Sequence, residues 1–478
     1  MRLKPIIAAI AVSAMLAGQS HAQITVLRDA EIEQWIDDYS FPIFRAAGLP
    51  AESINILIIG DPTPNAFAGG LNMGIHTGLI TTADNPNQVE GVIAHETGHI
   101  AGGHTARSDE ALAAASRPML LSLVLAAGAI AAGAPEAGIG LLGLGQNIGY
   151  ANLLTYSRGQ ESSADQAGLT YLERIGHSGK GLIDFFSKLR NYQVLTYRKV
   201  NPYLQSHPLA NERMTSLTER AEKSKYYGVT NTPEEIARMR LIQAKINGFL
   251  QDTKATLRQY PLSDQSEPAH YARAVAYYRG ADIDKGLKEI DTLLTDHPDN
   301  PYFNELKGQM LFEFGRVDES IAPHARSVEL APDKALLRIN LGRALLATED
   351  TARYPEAITE LKAALHLEPD NAFGWYELAR AYGGLGEEGQ AYLATAESRY
   401  YAGSKGEANQ FARRARDTLK KGTPEWRRAT DIIFTTAGED GAPALGQEDK
   451  SDAPAPQPKQ PRPTGEVPDP EVPDPQLW

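Results

Sequence analysis

The stretch Val92–His104, VIAHETGHIAGGH, holds three of the chain's 11 histidines within ten residues. His95 and His99 are four apart, so on a helix both project from one face, where two imidazoles can share a divalent metal ion. Glu96 stands beside them, placed to take a proton from water rather than to ligate. At ~100° per residue, Val89, Ile93 and Ile100 fall roughly 120° from that pair, so the helix offers one face to a core and another to a metal. His104 does not extend the set as an HExxHxxGxxH pattern requires, because that pattern puts its third histidine where Thr105 stands. One residue early, His104 is rotated by about 100° and reads as a supporting or structural residue.

A catalytic metal needs a third protein ligand and a fourth position open to water. In SRGQESSADQAG, Glu161 and Asp165 are again four apart, on a segment that continues helically through LTYLERIG. Glu161 supplies the missing carboxylate in one reading, with Asp165 accepting the other ring N–H of a ligating histidine. The plainer reading is a solvated acidic turn, the usual place for Glu and Asp. Further on, SHPLANER sets His207 before Pro208 and Arg213 six residues later.

These residues need elements to hold them. DAEIEQWIDDYSFPIFRAAGL has helical spacing, with Asp29 as cap and Ile32, Trp35 and Ile36 on one face. INILIIGD is a β-branched run of strand length. GGLNMGIHTGLI alternates, Leu71, Met73, Ile75, Thr77 and Leu79 pointing one way and a glycine-rich set the other. That strand, at Gly74, Ile75, His76 and Thr77, is where an extended substrate is expected to add as a further strand. Helices begin at Gln88. Residues 118–150 are Gly/Ala-rich and apolar, but the uncharged run stops at Pro135 and Glu136, short of a membrane span. They read as a buried helical hairpin; the competing reading is a loop that touches a membrane or covers the site.

From residue 229 the chain reads as helical, and from 263 it repeats. HPDN, APDK and EPDN place Pro298, Pro332 and Pro369 at spacings of 34 and 37. A period near 34 is the mark of tetratricopeptide helix–turn–helix units. Trp375, Leu378, Ala379, Tyr382 and Ala391 fit one unit, and Gly342, Ala357 and Ala364 fit the one before. Four units are expected. The segment 436–478 is proline-rich and charged and reads as a disordered tail. At the other end, Arg2 and Lys4, an apolar run over residues 5–18, and Ser20 and Ala22 lay out a secretory signal cut after Ala22. With no cysteine, disulfides and a cysteine-linked lipid anchor are excluded. The net charge of −13 argues against a nucleic-acid partner.

NAFAGG, HETGH followed by His104, ESSAD and HPLANER together resemble the HtpX family of zinc metallopeptidases. Within it they are most similar to the soluble periplasmic branch of β-barrel assembly-enhancing proteases with C-terminal tetratricopeptide repeats. The resemblance implies an α+β zincin-type domain over 23–228, a helical connector over 229–262, an all-α repeat solenoid over 263–425 and the tail. It implies one zinc ion per chain on His95, His99 and Glu161, with Glu96 as general base. Asp165 becomes the supporting aspartate, and His207 and Arg213 carry over from the family's His-Pro-x-x-x-x-Arg segment. His207 then either stabilises the oxyanion or occupies the open zinc position. The membrane-embedded members have spanning helices where this chain has residues 118–150, which suits a soluble relative making at most peripheral membrane contact. The implied activity is periplasmic cleavage of misfolded or stalled outer-membrane β-barrel proteins, with the repeats docking on the barrel assembly machinery. The competing function is a repeat-based chaperone or scaffold with a little-used peptidase domain. The intact His95, Glu96, His99 and Glu161 speak against it.

Overall fold

The structure, a computed structural model, describes residues 25–105, 135–196 and 202–437, with 116, 120–123, 125 and 126 between the first two stretches. The described residues divide into two compact units, one made of residues 25–28 with Asp37–Thr232 and one made of Asp29–Ile36 with Pro233 onward. The sequence reading puts this boundary at 228/229 and assigns residues 29–36 to the first domain. Expectations for the signal and the tail fall on residues outside the described ones, apart from Thr436 and Ala437.

The first unit sets a small sheet against helices. Strands β1 (Val26–Leu27), β2 (Asn55–Ile59), β3 (Ala66–Gly69) and β4 (Asn72–His76) stand in the order β1-β2-β4-β3. β4 runs parallel to β2 and antiparallel to β3. Phe67 lies directly opposite Gly74. A Cβ on Gly74 would sit 2.2 Å from the Phe67 ring, so the glycine makes room for an aromatic side chain from the neighbouring strand. This arrangement corrects the expected substrate-binding residues. Both edges of β4 are already paired, so Gly74, Ile75 and His76 cannot accept another strand, and Thr77 opens a short helix, Thr77–Thr82. The terminal strand on that side is β3.

Four helices of this unit matter for the site, numbered here after α1 (Ala30–Ala46): α2 (Pro86–Gly102), α3 (Pro135–Ile175), α4 (Lys180–Thr196) and α5 (Asn211–Glu222). The α2 helix starts where Asn85 caps Gln88 N with Pro86 at the first position, and ends at Gly103 in the left-handed conformation. Val89 to His99 are all buried, so α2 runs through the middle of the unit. Glycines let its neighbours come close. A Cβ on Gly98 would lie 2.7 Å from the Ala164 carbonyl oxygen, and one on Gly168 would lie 3.0 Å from the Ala94 carbonyl carbon. The α2–α3 crossing is therefore backbone against backbone.

The expected buried hairpin over 118–150 holds only in part for its described residues: Ser122 and Ala126 are buried. Leu120, Leu121, Leu123, Leu125, Leu144 and Ile148 are exposed. From Pro135 the segment runs on as the start of the 41-residue α3. No helix among the described residues is long and apolar enough to cross a membrane.

In the second unit, α6 (Pro233–Leu250) and a short helix at Thr253–Gln259 precede five helix pairs, one more than expected. The pairs are Glu267–Arg279 with Ile283–Asp296, Pro301–Glu313 with Val317–Leu330, Ala335–Ala347 with Tyr354–Leu367, Ala372–Gly384 with Glu388–Tyr401, and Lys405–Thr418 with Pro424–Thr436. Glycines seat the partners: Cβ atoms on Gly308 and Gly342 would each fall 2.7 Å from His324 and Leu361 of the facing helix. The fifth pair packs alanines Ala408, Ala412, Ala415 and Ala429 around Ile432 and Ile433 without the proline–glycine register of the others, so the period misses it.

Candidate active site

His95 and His99 come one turn apart on the buried α2 and turn their Nε2 atoms to within 3.1 Å of each other. Across the close crossing, α3 brings Glu161, whose carboxylate oxygens lie 3.5 Å from His95 Nε2 and 3.5 Å from His99 Nε2. His207 enters from the segment before α5, its Nδ1 3.3 Å from His95 Nε2 and 3.1 Å from both Glu161 oxygens. One ligand atom from each of these four side chains lies within 4.8 Å of all the others. Tetrahedral bonds of 2.0–2.1 Å put ligand atoms about 3.3–3.4 Å apart. The observed separations of 3.1–3.5 Å fit that figure, and the donor set of imidazoles with one carboxylate suits a divalent cation.

The atoms behind the donors are fixed too. His95 Nδ1 lies 2.9 Å from Asp165 Oδ1, and His99 Nδ1 lies 2.9 Å from His104 Nδ1. Protons on these far nitrogens leave both Nε2 lone pairs free for a metal. His104 reaches back because Gly102 has no side chain; a Cβ there would stand 2.4 Å from His104 Nε2. Arg213 on α5 clamps both carboxylates of α3. It donates to Asp165 at 2.6 and 2.8 Å, and its Nη1 lies 2.8 Å from Glu161 Oε2. Its guanidinium also sits 5.2 Å over the Phe186 ring.

The charge states follow. Burial works against a charged His95, but Asp165 and Glu161 prevail and push it up to about 9. Burial and the cationic His95 hold His99 down at about 2. Burial alone would raise Glu161, yet its hydrogen bonds with His207 and His95 bring it far below the ordinary carboxylate range. Asp165 is lowered in the same way, burial being outweighed by Arg213 and His95. Glu96 is different: it is buried, and neither carboxylate oxygen has a hydrogen-bond partner among the described residues. Its Oε1 lies 3.5 Å from His207 Nε2, so it faces the cluster. A buried carboxylate with free lone pairs beside a metal-binding cluster is arranged to receive a proton.

Residues 27–221 match the peptidase family M48, and residues 271–335 match the tetratricopeptide repeat. The chain carries a peptidase family M48 domain. With the four-residue cluster it is a metallopeptidase, followed by tetratricopeptide repeats. Among curated relatives, the putative beta-barrel assembly-enhancing protease of Vibrio cholerae is 26% identical over 410 residues, covering 83% of this chain and 82% of its own. The beta-barrel assembly-enhancing protease of Escherichia coli is 26% identical over 420 residues, covering 86% and 84%. The metalloprotease YcaL of Escherichia coli is 30% identical over 171 residues, covering 36% of this chain and 62% of its own.

The structure brings together His95, Glu96, His99, His104, Glu161, Asp165, His207 and Arg213; Gly74 to Thr77 lie in a strand already paired on both sides. Two residues of the M48 site had no place in the sequence reading. The Tyr203 ring stacks on His207 at 4.6 Å, and Phe186 meets His95 edge-on at 5.7 Å. Tyr203 lies four residues before His207, the same one-turn spacing that marks the other pairs, and that signal was there to be read.

Proposed function

We propose that this chain is a zinc-dependent endopeptidase of the bacterial periplasm that cleaves misfolded or stalled outer-membrane β-barrel proteins and assists their assembly. The observation that carries the reading is the buried Glu96 carboxylate, without a hydrogen-bond partner among the described residues, beside four converging ligand atoms. Relatives called beta-barrel assembly-enhancing proteases, similar over more than four-fifths of both chains, support the client class. The signal layout at residues 1–22 supports the periplasm.

His95, His99 and Glu161 would hold the ion, which when bound supplies Lewis acidity for the scissile carbonyl and acidifies water. Glu96 takes the proton of the attacking water and passes it to the leaving amine. Asp165 and His104 keep the histidine tautomers that leave Nε2 open, and Arg213 holds Glu161 ionised. His207 stands at the fourth position of the donor set, so substrate entry displaces it; set free beside the carbonyl, it is a donor for the oxyanion. An extended client adds to the terminal strand β3. His76 N donates to Asn65 O on the inner side, so Ala66 and Ala68, out of phase with it, turn their backbone groups outward. Thr105 Oγ1 already donates to Ala68 O on that side. Backbone pairing of this kind is indifferent to client sequence, as unfolded substrates require.

The test is Glu96→Gln. The variant keeps about one zinc per chain and loses cleavage of an unfolded β-barrel protein; the step through Glu96 is wrong if cutting persists. The scaffold reading predicts that assembly assistance is untouched while cleavage by the parent is negligible.

A further inference from the structure

The repeat pairs do not share their charge evenly. From Glu267 to Tyr401 the first four pairs carry 23 acidic residues against 14 basic ones. The fifth pair, Lys405–Thr418 with Pro424–Thr436, reverses the balance, with eight basic residues against four acidic ones. Some of these cations are held within the fold. Arg428 forks onto Glu397 at 2.6 and 2.7 Å, Arg416 lies 3.4 Å from Asp417, and Arg413 donates to Asn409. Arg414, Lys420, Lys421 and Arg427 are exposed, and none of these four side chains has an acidic partner among the described residues.

The four also share a place. Lys420 and Lys421 lie in the bend between the two helices, Arg414 stands four residues before the first helix ends, and Arg427 three residues after the second begins. Measured along the helix axes, both arginines are within about 6 Å of that bend. Like charges exposed together repel, and an anionic cover relieves the repulsion.

The chain carries such a counter-charge itself. Residues 438–473, outside the described ones, hold eight acidic residues against three basic ones, with nine prolines. Glu448, Asp449 and Asp452 stand in QEDKSD, and Glu466, Asp469 and Glu471 in the doubled EVPDP. The segment follows Ala437, just past the end of Pro424–Thr436, a helix that is about 20 Å long. A proline-rich chain advances about 3.1 Å per residue when extended, so about seven residues lead back to the bend. Glu448 and the acidic residues after it are all far enough along to arrive there.

We propose that the basic bend of the fifth repeat pair is a docking surface whose occupant is the chain's own acidic segment, residues 438–473. Tethering makes weak pairing sufficient. A short flexible link gives an effective concentration of about a millimolar, at which exposed ion pairs too weak to hold a free peptide still hold a tethered one. The contact is electrostatic, with a screening length of about 8 Å at physiological salt and about 3 Å at 1 M, so salt loosens it. An anionic partner reaches these four side chains only by displacing the segment.

Two measurements on the full chain test this. The neutral-segment variant E448Q/D449N/D452N/E466Q/D469N/E471Q leaves every described residue in place and removes only charge. First, lysine acetylation is timed by mass spectrometry. Lys420 and Lys421 should react at least twofold more slowly in the parent than in the variant at low salt, and equally at 1 M salt. Lys362, exposed on the third repeat pair, is the internal standard. Equal rates at low salt overturn the cover. Second, a fluorescein-labelled peptide of residues 446–473 is titrated with the parent, with the variant, and with the variant carrying R414Q/K420Q/K421Q/R427Q as well. Uptake by the variant at least fivefold tighter than by either other chain is expected. No uptake by the variant up to a millimolar, or uptake indifferent to the four cations, overturns the surface. Uptake by the parent as tight as by the variant overturns the occupant. So does equal binding of parent and variant to phosphatidylglycerol vesicles through the same four cations, which would give the surface to a lipid headgroup.

Discussion

Gly98→Ala adds one methyl group to the helix that carries His95 and His99, the two proposed metal ligands, and the structure says how far the site must yield. The new Cβ would stand 2.7 Å from the Ala164 oxygen and 2.8 Å from its Cα. Relief to an ordinary contact of about 3.5 Å moves α2 and α3 apart by roughly 0.7 Å. His95 and His99 ride on α2 and Glu161 on α3, each imidazole now 3.5 Å from the carboxylate. Metal–ligand distances tolerate only about 0.2 Å of error, so the displacement loosens Glu161 from a shared ion. Overpacking costs about 1–3 kcal/mol, offset by about 1 kcal/mol from replacing glycine inside a helix. The expected outcome is a small loss of stability with at least a tenfold loss of zinc affinity. Chelator-competition titration reads the affinity, and thermal melting of the stripped chain reads the stability. Gly159→Ala is the control, since nothing lies within 4 Å of its Cβ and it sits on the same α3; it should leave zinc binding unchanged. The reasoning fails if Gly98→Ala binds zinc as tightly as the parent.

Three further outcomes are expected. Asp165→Asn removes the anion behind His95 and loosens Arg213, so zinc affinity should drop about 10–100-fold, read by the same titration. Metal binding should depend on pH with a definite sign: His95 in the stripped chain holds its proton up to about 9, so the ion must displace it below that value. Zinc affinity then rises about tenfold per pH unit from 7 and levels off near 9, and a flat profile from 7 to 9 would contradict the assigned charge state. Ala68→Pro deletes an outward N–H of β3 while leaving the β3–β4 ladder its inward bonds; kcat/KM on an unfolded barrel protein should fall about fivefold with zinc content unchanged, since one substrate hydrogen bond is worth about 1 kcal/mol.

Sequence alone was informative wherever chemistry is written in short-range spacing. His95 with His99, and Glu161 with Asp165, are each one helical turn apart, so shared faces follow from the period of the helix, whatever the rest of the chain does. The same holds for Asp29 as a cap and for the buried Ile32, Trp35 and Ile36. The pairing of β4 is another matter. β2 skips over β3 to lie parallel to β4, and no local pattern in NILII or NMGIH announces that. The expected substrate strand therefore turned out to be an interior one. Long-range membership is equally silent: nothing in DAEIEQWI says that its first two turns fold with Lys245, over two hundred residues away. The glycines of α2 and α3 were visible as letters, but their role is a distance between two backbones.

The site also explains why the domain buries three carboxylates near one another. Glu96, Glu161 and Asp165 bring three negative charges into a region that Arg213 offsets by one and a protonated His95 by a second. One negative charge is left over in a poorly solvated place, a costly arrangement for a fold to keep. Exchanging the His95 proton for a divalent cation changes the sum by one and brings it to zero. Counting the three carboxylates, Arg213 and His95 alone, a divalent ion closes the balance, and a singly charged ion in the same exchange would leave the deficit where it was. Arg213 is what makes the balance close: without its guanidinium, even the loaded site would stay one charge short, with Glu161 and Asp165 repelling across the helix turn that separates them. The arginine six residues after His207 therefore belongs to the metal site as much as the donors do, through charge and without touching the ion.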